Sequence, residues 1–100
     1  MKLVRDKIPE IIKKEGKKPI IRKVSSAEEY LKLLLEKLDE EVTEYQISRK
    51  PEELADIIEV CYALANTHRL SPAKLEQMRS KKAKERGTFS KRIVWLGYEP

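Results

Sequence analysis

Three residues, Ser48 to Lys50, separate two long amphipathic patterns, and Pro51 follows them at once. Proline suits the first position of a helix, where its missing N–H costs nothing. A turn this short makes the flanking helices antiparallel neighbours. The first helix is expected from Ala27 to about Ser48, behind a capping box of Ser26 and Glu29. The second is expected from Pro51 to about Arg69.

The remaining elements are short or polar. Pro9 opens a short helix through about Glu15, with Gly16 as its stop. Ser71-Pro72 repeats the cap-then-proline signal and starts a third helix ending near Arg86-Gly87. Pro19–Val24 and Arg92–Leu96 are strand candidates. They are candidates to pair with each other, because an isolated strand leaves its backbone groups unmatched. The expected fold is mainly α: an antiparallel helical hairpin core plus a third helix, with a small two-stranded β element as an open option. At 100 residues the chain holds one domain, 1–100. So short a chain buries a limited core, and dimerisation is a reasonable way to complete the helical bundle.

Composition narrows the function classes. Hydrophobic residues at 40% and charged residues at 39% fit an ordered, heavily solvated domain rather than a disordered one. The net charge of +5 suits an anionic partner, nucleotide or nucleic acid, although a lysine-rich helical surface gives the same sum. No segment approaches the roughly 18 apolar residues of a membrane span. The N-terminus lacks the apolar run of a signal peptide, so a cytoplasmic location is expected. The one cysteine, Cys61, allows no internal disulfide and reads as a small core hydrophobe.

Four carboxylates disturb the hairpin's amphipathic pattern. A helix turns about 100° per residue. With Leu31 at zero, Leu34, Leu35, Leu38, Val42 and Tyr45 fall within about 60° of it. Glu41 lies at about −80° and Glu44 at about −140°, while Glu40 points away from the stripe toward solvent. In the second helix Leu54, Ile57, Ile58, Cys61, Leu64 and Ala65 form the stripe, widened by Val60. Glu53 falls at about −100°, inside the apolar arc, and Asp56 at about −160°. Both pairs are offset in the same rotational sense. In an antiparallel hairpin this places them on one side, at matched heights about the turn. An unpaired charge in an apolar arc costs several kcal/mol, so Glu53 is expected to meet a cation.

That cation has two sources. The acids are either solvated partners of Lys37, Arg49 or Lys50, or ligands of a divalent metal. Mg²⁺ suits the second case, with Mn²⁺ as the other candidate. It takes hard oxygen ligands, keeps some waters and shares its shell with substrate phosphates. The lone histidine, His68, falls near a helix C-terminus, where a capping or surface role is expected.

Glu41-Val42-Thr43-Glu44 followed by Glu53-Leu54-Ala55-Asp56 resembles the Glu-x-x-Glu … Glu-x-x-Asp signature of the all-α nucleoside triphosphate pyrophosphohydrolases, the MazG and phosphoribosyl-ATP pyrophosphohydrolase-like proteins. Lys2 to Pro9, Lys37 to Glu41, Glu52 to Val60 and Lys84 to Phe89 extend the likeness over nearly the whole chain. Thr88 departs from it, standing where the subgroup often carries a second glycine. The resemblance implies Mg²⁺-dependent hydrolysis between the α and β phosphates of a nucleotide, yielding a monophosphate and pyrophosphate. It implies Glu41, Glu44, Glu53 and Asp56 as metal ligands, with one carboxylate, Glu41 as the candidate, also orienting the attacking water. It also implies a homodimer or a dimer of dimers.

Lys81, Lys82, Lys84 and Arg86 crowd the end of the third helix, where cations meet the helix dipole favourably. As phosphate ligands Lys81 and Arg86 are the first choices, followed by Lys84, with Arg5 and Lys7 as alternatives. Trp95, Tyr62 and Phe89 could stack on a base, although packing is the more frequent role of an aromatic. The competing function is a non-catalytic basic helical dimer that binds a protein partner or nucleic acid. Glu53 speaks against it, since a solvated binding module has no need of a carboxylate in an apolar arc.

Overall fold

The computed structural model describes all 100 residues. It is all-helical: α1 (Ile8–Lys14), α2 (Ala27–Ser48), α3 (Pro51–Thr67) and α4 (Pro72–Arg86). No helix is long and apolar enough to cross a membrane.

The helix starts follow from local chemistry. Ser26 caps α2 by accepting the Glu29 N–H at 3.2 Å. The reciprocal half of the capping box is replaced. The Glu29 carboxylate instead takes both guanidinium nitrogens of Arg22, at 2.9 and 2.8 Å. Ser71 caps α4 by accepting the Lys74 N–H at 3.1 Å. At the hairpin turn Arg49 adopts φ 58, and its N–H closes on the Tyr45 carbonyl at 2.8 Å. Lys50 is extended and Pro51 begins α3. The left-handed residue reverses the chain within two positions and lays α3 back along α2.

The two strand candidates do not form strands. Residues 19–24 and 92–96 carry no ladder, and Ile20, Ile21, Ile93, Val94, Trp95 and Leu96 are exposed. Apolar alternation marks a segment able to pair, but pairing requires a partner edge. The Arg22–Glu29 clamp holds the first segment against the start of α2 instead. Trp95 packs edge-on against Tyr98, with ring centroids 5.3 Å apart, and donates from Nε1 to the Gly97 carbonyl.

The packing arc is rotated from the expected stripe. Leu33, Leu34, Val60 and Ala65 are buried, and so is Glu41. Leu31 and Leu35 remain 41% and 48% exposed, and Leu54 and Ile58 are 42% and 50% exposed. Helix α2 thus meets α3 through its acidic flank, which puts Glu41 inside and leaves the centre of the apolar stripe open. Cys61 is half-buried. The radius of gyration is 18.0 Å, against about 13 Å for a compact domain of this length.

Candidate metal centre

The hairpin brings three of the four signature acids together. Carboxylate oxygens of Glu41, Glu53 and Asp56 lie within 4.8 Å of one another. Glu44 belongs to a second, overlapping group with Glu40 and Glu41, on the same spacing. Glu41 is common to both. Two unit charges at this distance repel by roughly 3 kcal/mol at an effective dielectric of ~20, so the cluster needs cations nearby.

Three cations of the chain supply part of that charge. Lys37, one turn before Glu41, lies 3.1 Å from Glu41 Oε1 and 3.2 Å from Glu40 Oε2. Lys2 reaches Glu40 Oε1 at 3.2 Å. Arg5 donates to Asp56 Oδ1 at 2.7 Å and lies 3.6 Å from Glu59. Glu44 and Glu53 make no ion pair.

The buried acid is Glu41, not Glu53. Glu41 is 6% exposed, and its Oε2 is buried with no hydrogen-bond partner. Glu53 is half-buried, nearer the open end of the cluster. The rotated packing arc accounts for the exchange. Glu40, expected in solvent, is half-buried because the N-terminal arm lays Lys2 across it. An unsatisfied buried acceptor costs about 1–3 kcal/mol, and more when charged. Glu41 Oε2 is therefore the atom of this cluster most in need of a partner.

Protonation equilibria record the same crowding. The Glu41 charge pushes the Glu44 carboxyl above its ordinary value, helped by a shared proton with Glu41, by some loss of solvent and by Glu53 and Glu40. Two ionised carboxylates have no proton to share, so the Glu41–Glu44 contact becomes a hydrogen bond only when Glu44 is protonated. Burial works against the Lys37 charge, but the hydrogen bonds it donates to Glu41 and Glu40 outweigh it and hold its pKa above the usual lysine value. Hydrogen bonds from Lys2 and then Lys37 pull the Glu40 carboxyl down.

The donor set is all oxygen, which fits a hard divalent cation such as Mg²⁺ or Mn²⁺. Glu41, Glu53 and Asp56 would hold it, with Glu44 at the exposed side. Beside them runs a cleft of about 720 Å³. Its walls are the N-terminal arm from Leu3 to Lys7 and the flanks of α2 and α3. Arg5, Lys7 and Lys37 line it next to Glu41 and Asp56, and Tyr30, Tyr62 and Asn66 lie further along.

The basic end of α4 is not part of this cleft. Pro72, at the start of α4, lines it, but Lys81, Lys84 and Arg86 lie roughly 13–21 Å further along the helix axis and are exposed. Lys81 faces Glu85 at 4.0 Å. Phe89 and Trp95 are exposed on the C-terminal segment, and Tyr62 alone of the three aromatics reaches the cleft. His68 is exposed at the end of α3, where its backbone N–H bonds to the Ala65 carbonyl. Sequence reasoning missed Lys2, Tyr30, Glu59 and Asn66. Glu59, one turn after Asp56, had a helical-spacing signal. Lys2 had none, because nothing local ties the arm to the hairpin.

No protein-family model and no solved structure matches the chain. An uncharacterized protein of Mycolicibacterium smegmatis is 55% identical to it over 42 residues. That stretch covers 42% of this chain and 42% of the relative, so the chain spans less than half of the relative's length.

Proposed function

We propose that this chain is a Mg²⁺-dependent nucleoside triphosphate pyrophosphohydrolase of the MazG-like kind, cleaving between the α and β phosphates. Water adds to one phosphoryl group and the anhydride bond breaks, giving a nucleoside monophosphate and pyrophosphate. Removal of non-canonical nucleotides is a role consistent with that reaction. The observation that carries this reading is the buried, unpartnered Glu41 Oε2 among three converging carboxylates at the edge of a cation-lined cleft.

Bound there, a divalent cation supplies phosphoryl polarisation and acidifies a bound water. The chain's own groups do the rest. Glu41, Glu53 and Asp56 would hold the ion, Glu44 would complete the set, and Glu41 would orient the attacking water. Lys37 holds the Glu41 carboxylate in place. The cations lining the cleft neutralise the phosphates. This moves the phosphate-binding role from Lys81, Lys84 and Arg86 to Arg5, Lys7 and Lys37.

The open stripe of Leu31, Leu35, Leu54 and Ile58 supports a homodimer or a dimer of dimers, since isolated burial is small. The competing reading is a non-catalytic basic dimer that binds nucleic acid or protein. In its favour, Arg5 and Lys37 already pair with two of the acids.

Pyrophosphate release from canonical and modified nucleoside triphosphates, with and without Mg²⁺, separates the two. Folded Glu41→Gln and Glu53→Gln variants are expected to lose the signal. Undiminished activity in both would remove the site assignment.

A further inference from the structure

We propose that Arg5 is an exchangeable occupant of the candidate metal centre. In the metal-free chain its guanidinium holds Asp56, and when a divalent cation takes that carboxylate Arg5 turns into the cleft as a ligand for the substrate's phosphates. This rests on the metal reading above and adds a regulatory step to it.

The charge balance comes first. Six carboxylates crowd the hairpin flank: Glu40, Glu41, Glu44, Glu53, Asp56 and Glu59. Three cations answer them: Lys2, Lys37 and Arg5. The cluster therefore keeps a deficit of three charges, even with every pair formed. A divalent cation fits that deficit, but at Asp56 it meets Arg5, whose Nη2 lies 2.7 Å from Oδ1. A cation drawn to Oδ1 competes with the guanidinium for the same carboxylate charge, and the proposed exchange is the outcome in which the cation wins rather than sharing Asp56 through Oδ2.

The three cations differ in how readily they can leave. Lys37 sits on α2 one turn from Glu41, is only 19% exposed at its side chain and is held by the helix. Arg5 is on the arm before α1, and its side chain is 53% exposed. Its partners belong to α3, 51 residues away. An exposed ion pair is weak, so a metal displaces it at small cost. Once released, Arg5 has a destination. It lines the cleft beside Lys7 and Lys37, and its planar fork of donors suits a phosphate group bidentately. The same residue therefore serves as a counterion without metal and as an anion ligand with it. The Arg5 charge is freed for a phosphate only after the metal has arrived, which favours ordered binding: metal, then nucleotide.

The test is calorimetric titration of the full chain with Mg²⁺, and then, at saturating Mg²⁺, with an α,β-methylene nucleoside triphosphate that cannot be cleaved. Arg5→Ala is expected to tighten Mg²⁺ by about two- to five-fold, as the competing pair is lost. The same variant is expected to weaken the analogue by about ten-fold or more, as a charged hydrogen bond is lost. Arg5→Lys keeps the charge but not the fork, and is expected to fall between. Lys2→Ala removes a charge from the same arm without freeing Asp56, and is expected to leave analogue binding unchanged. Opposite signs for metal and analogue are the signature, because simple unfolding of the arm weakens both. Unchanged or weakened Mg²⁺ binding in Arg5→Ala, with wild-type Mg²⁺ binding intact, overturns the exchange and leaves the metal centre standing. No Mg²⁺ binding in any variant overturns both.

Discussion

Replacing Glu41 with glutamine should stabilise the metal-free protein while destroying its response to metal. Glu41 lies within 4.8 Å of the carboxylate oxygens of Glu53 and Asp56. At an effective dielectric of ~20 each contact opposes folding by roughly 3 kcal/mol. The Lys37 ammonium at 3.1 Å returns roughly 5 kcal/mol on the same scale. Repulsion thus narrowly exceeds attraction, before the cost of the unsatisfied Oε2 is counted. Glutamine removes the charge, still accepts from Lys37 and gives its amide to a neighbouring carboxylate. The expected gain is about 1–2 kcal/mol in chelator, or a rise in Tm of roughly 4–8 °C per kcal/mol for a domain this size. For the wild type, Mg²⁺ at a hundred times its Kd should add about 2.7 kcal/mol, and for Glu41→Gln almost nothing. Thermal melts followed by circular dichroism, in chelator and in Mg²⁺, measure both. If Glu41→Gln melts well below wild type in chelator, Lys37 already satisfies Glu41 and the case for a missing cation collapses.

Three further outcomes are expected. Glu44 has a folded pKa above its ordinary 4.5, so its contribution to stability is present below about pH 4.5 and lost as pH rises through the raised value. In chelator, Glu44→Gln should remove that loss and flatten the curve of Tm against pH between about pH 4.5 and the raised value, and an unchanged curve would discount the crowding. Ile58→Asp places a charge on the open apolar stripe and should convert the proposed dimer to monomer in sedimentation experiments, whereas a wild-type chain that is already monomeric, or a variant that still dimerises, would refute that interface. Ser71→Ala removes the cap on α4 and should cost about 1 kcal/mol in denaturant melts, with the Mg²⁺ response intact.

The hairpin was legible because its signals are local. Pro51, the Ser26 and Ser71 caps and the 3.6-residue apolar period each depend on neighbours a few positions away. The convergence of Glu41, Glu53 and Asp56 was legible for the same reason, since they straddle one short turn. The rotation of the packing arc was not. A wheel shows which face is apolar, but the neighbour that meets it is decided by the whole chain, and here the open stripe remains uncovered. The missing strands have a similar cause: Ile20 and Ile93 fit a pleated surface that no second edge provides. The N-terminal arm was legible only as a source of phosphate ligands, Arg5 and Lys7; its docking was not, because Arg5 and Asp56 are brought together only by the tertiary fold.

The two-residue link at Arg49 and Lys50 also bears on the order in which the molecule assembles. Residues 41 to 56 close a short loop across the hairpin turn, and local closures form fastest. Arg5 must close a loop of 51 residues to reach Asp56, at a higher entropic cost. The acidic knot is therefore expected to close before Arg5 docks on Asp56. In that order the carboxylates meet the surrounding solution first and their own N-terminus second.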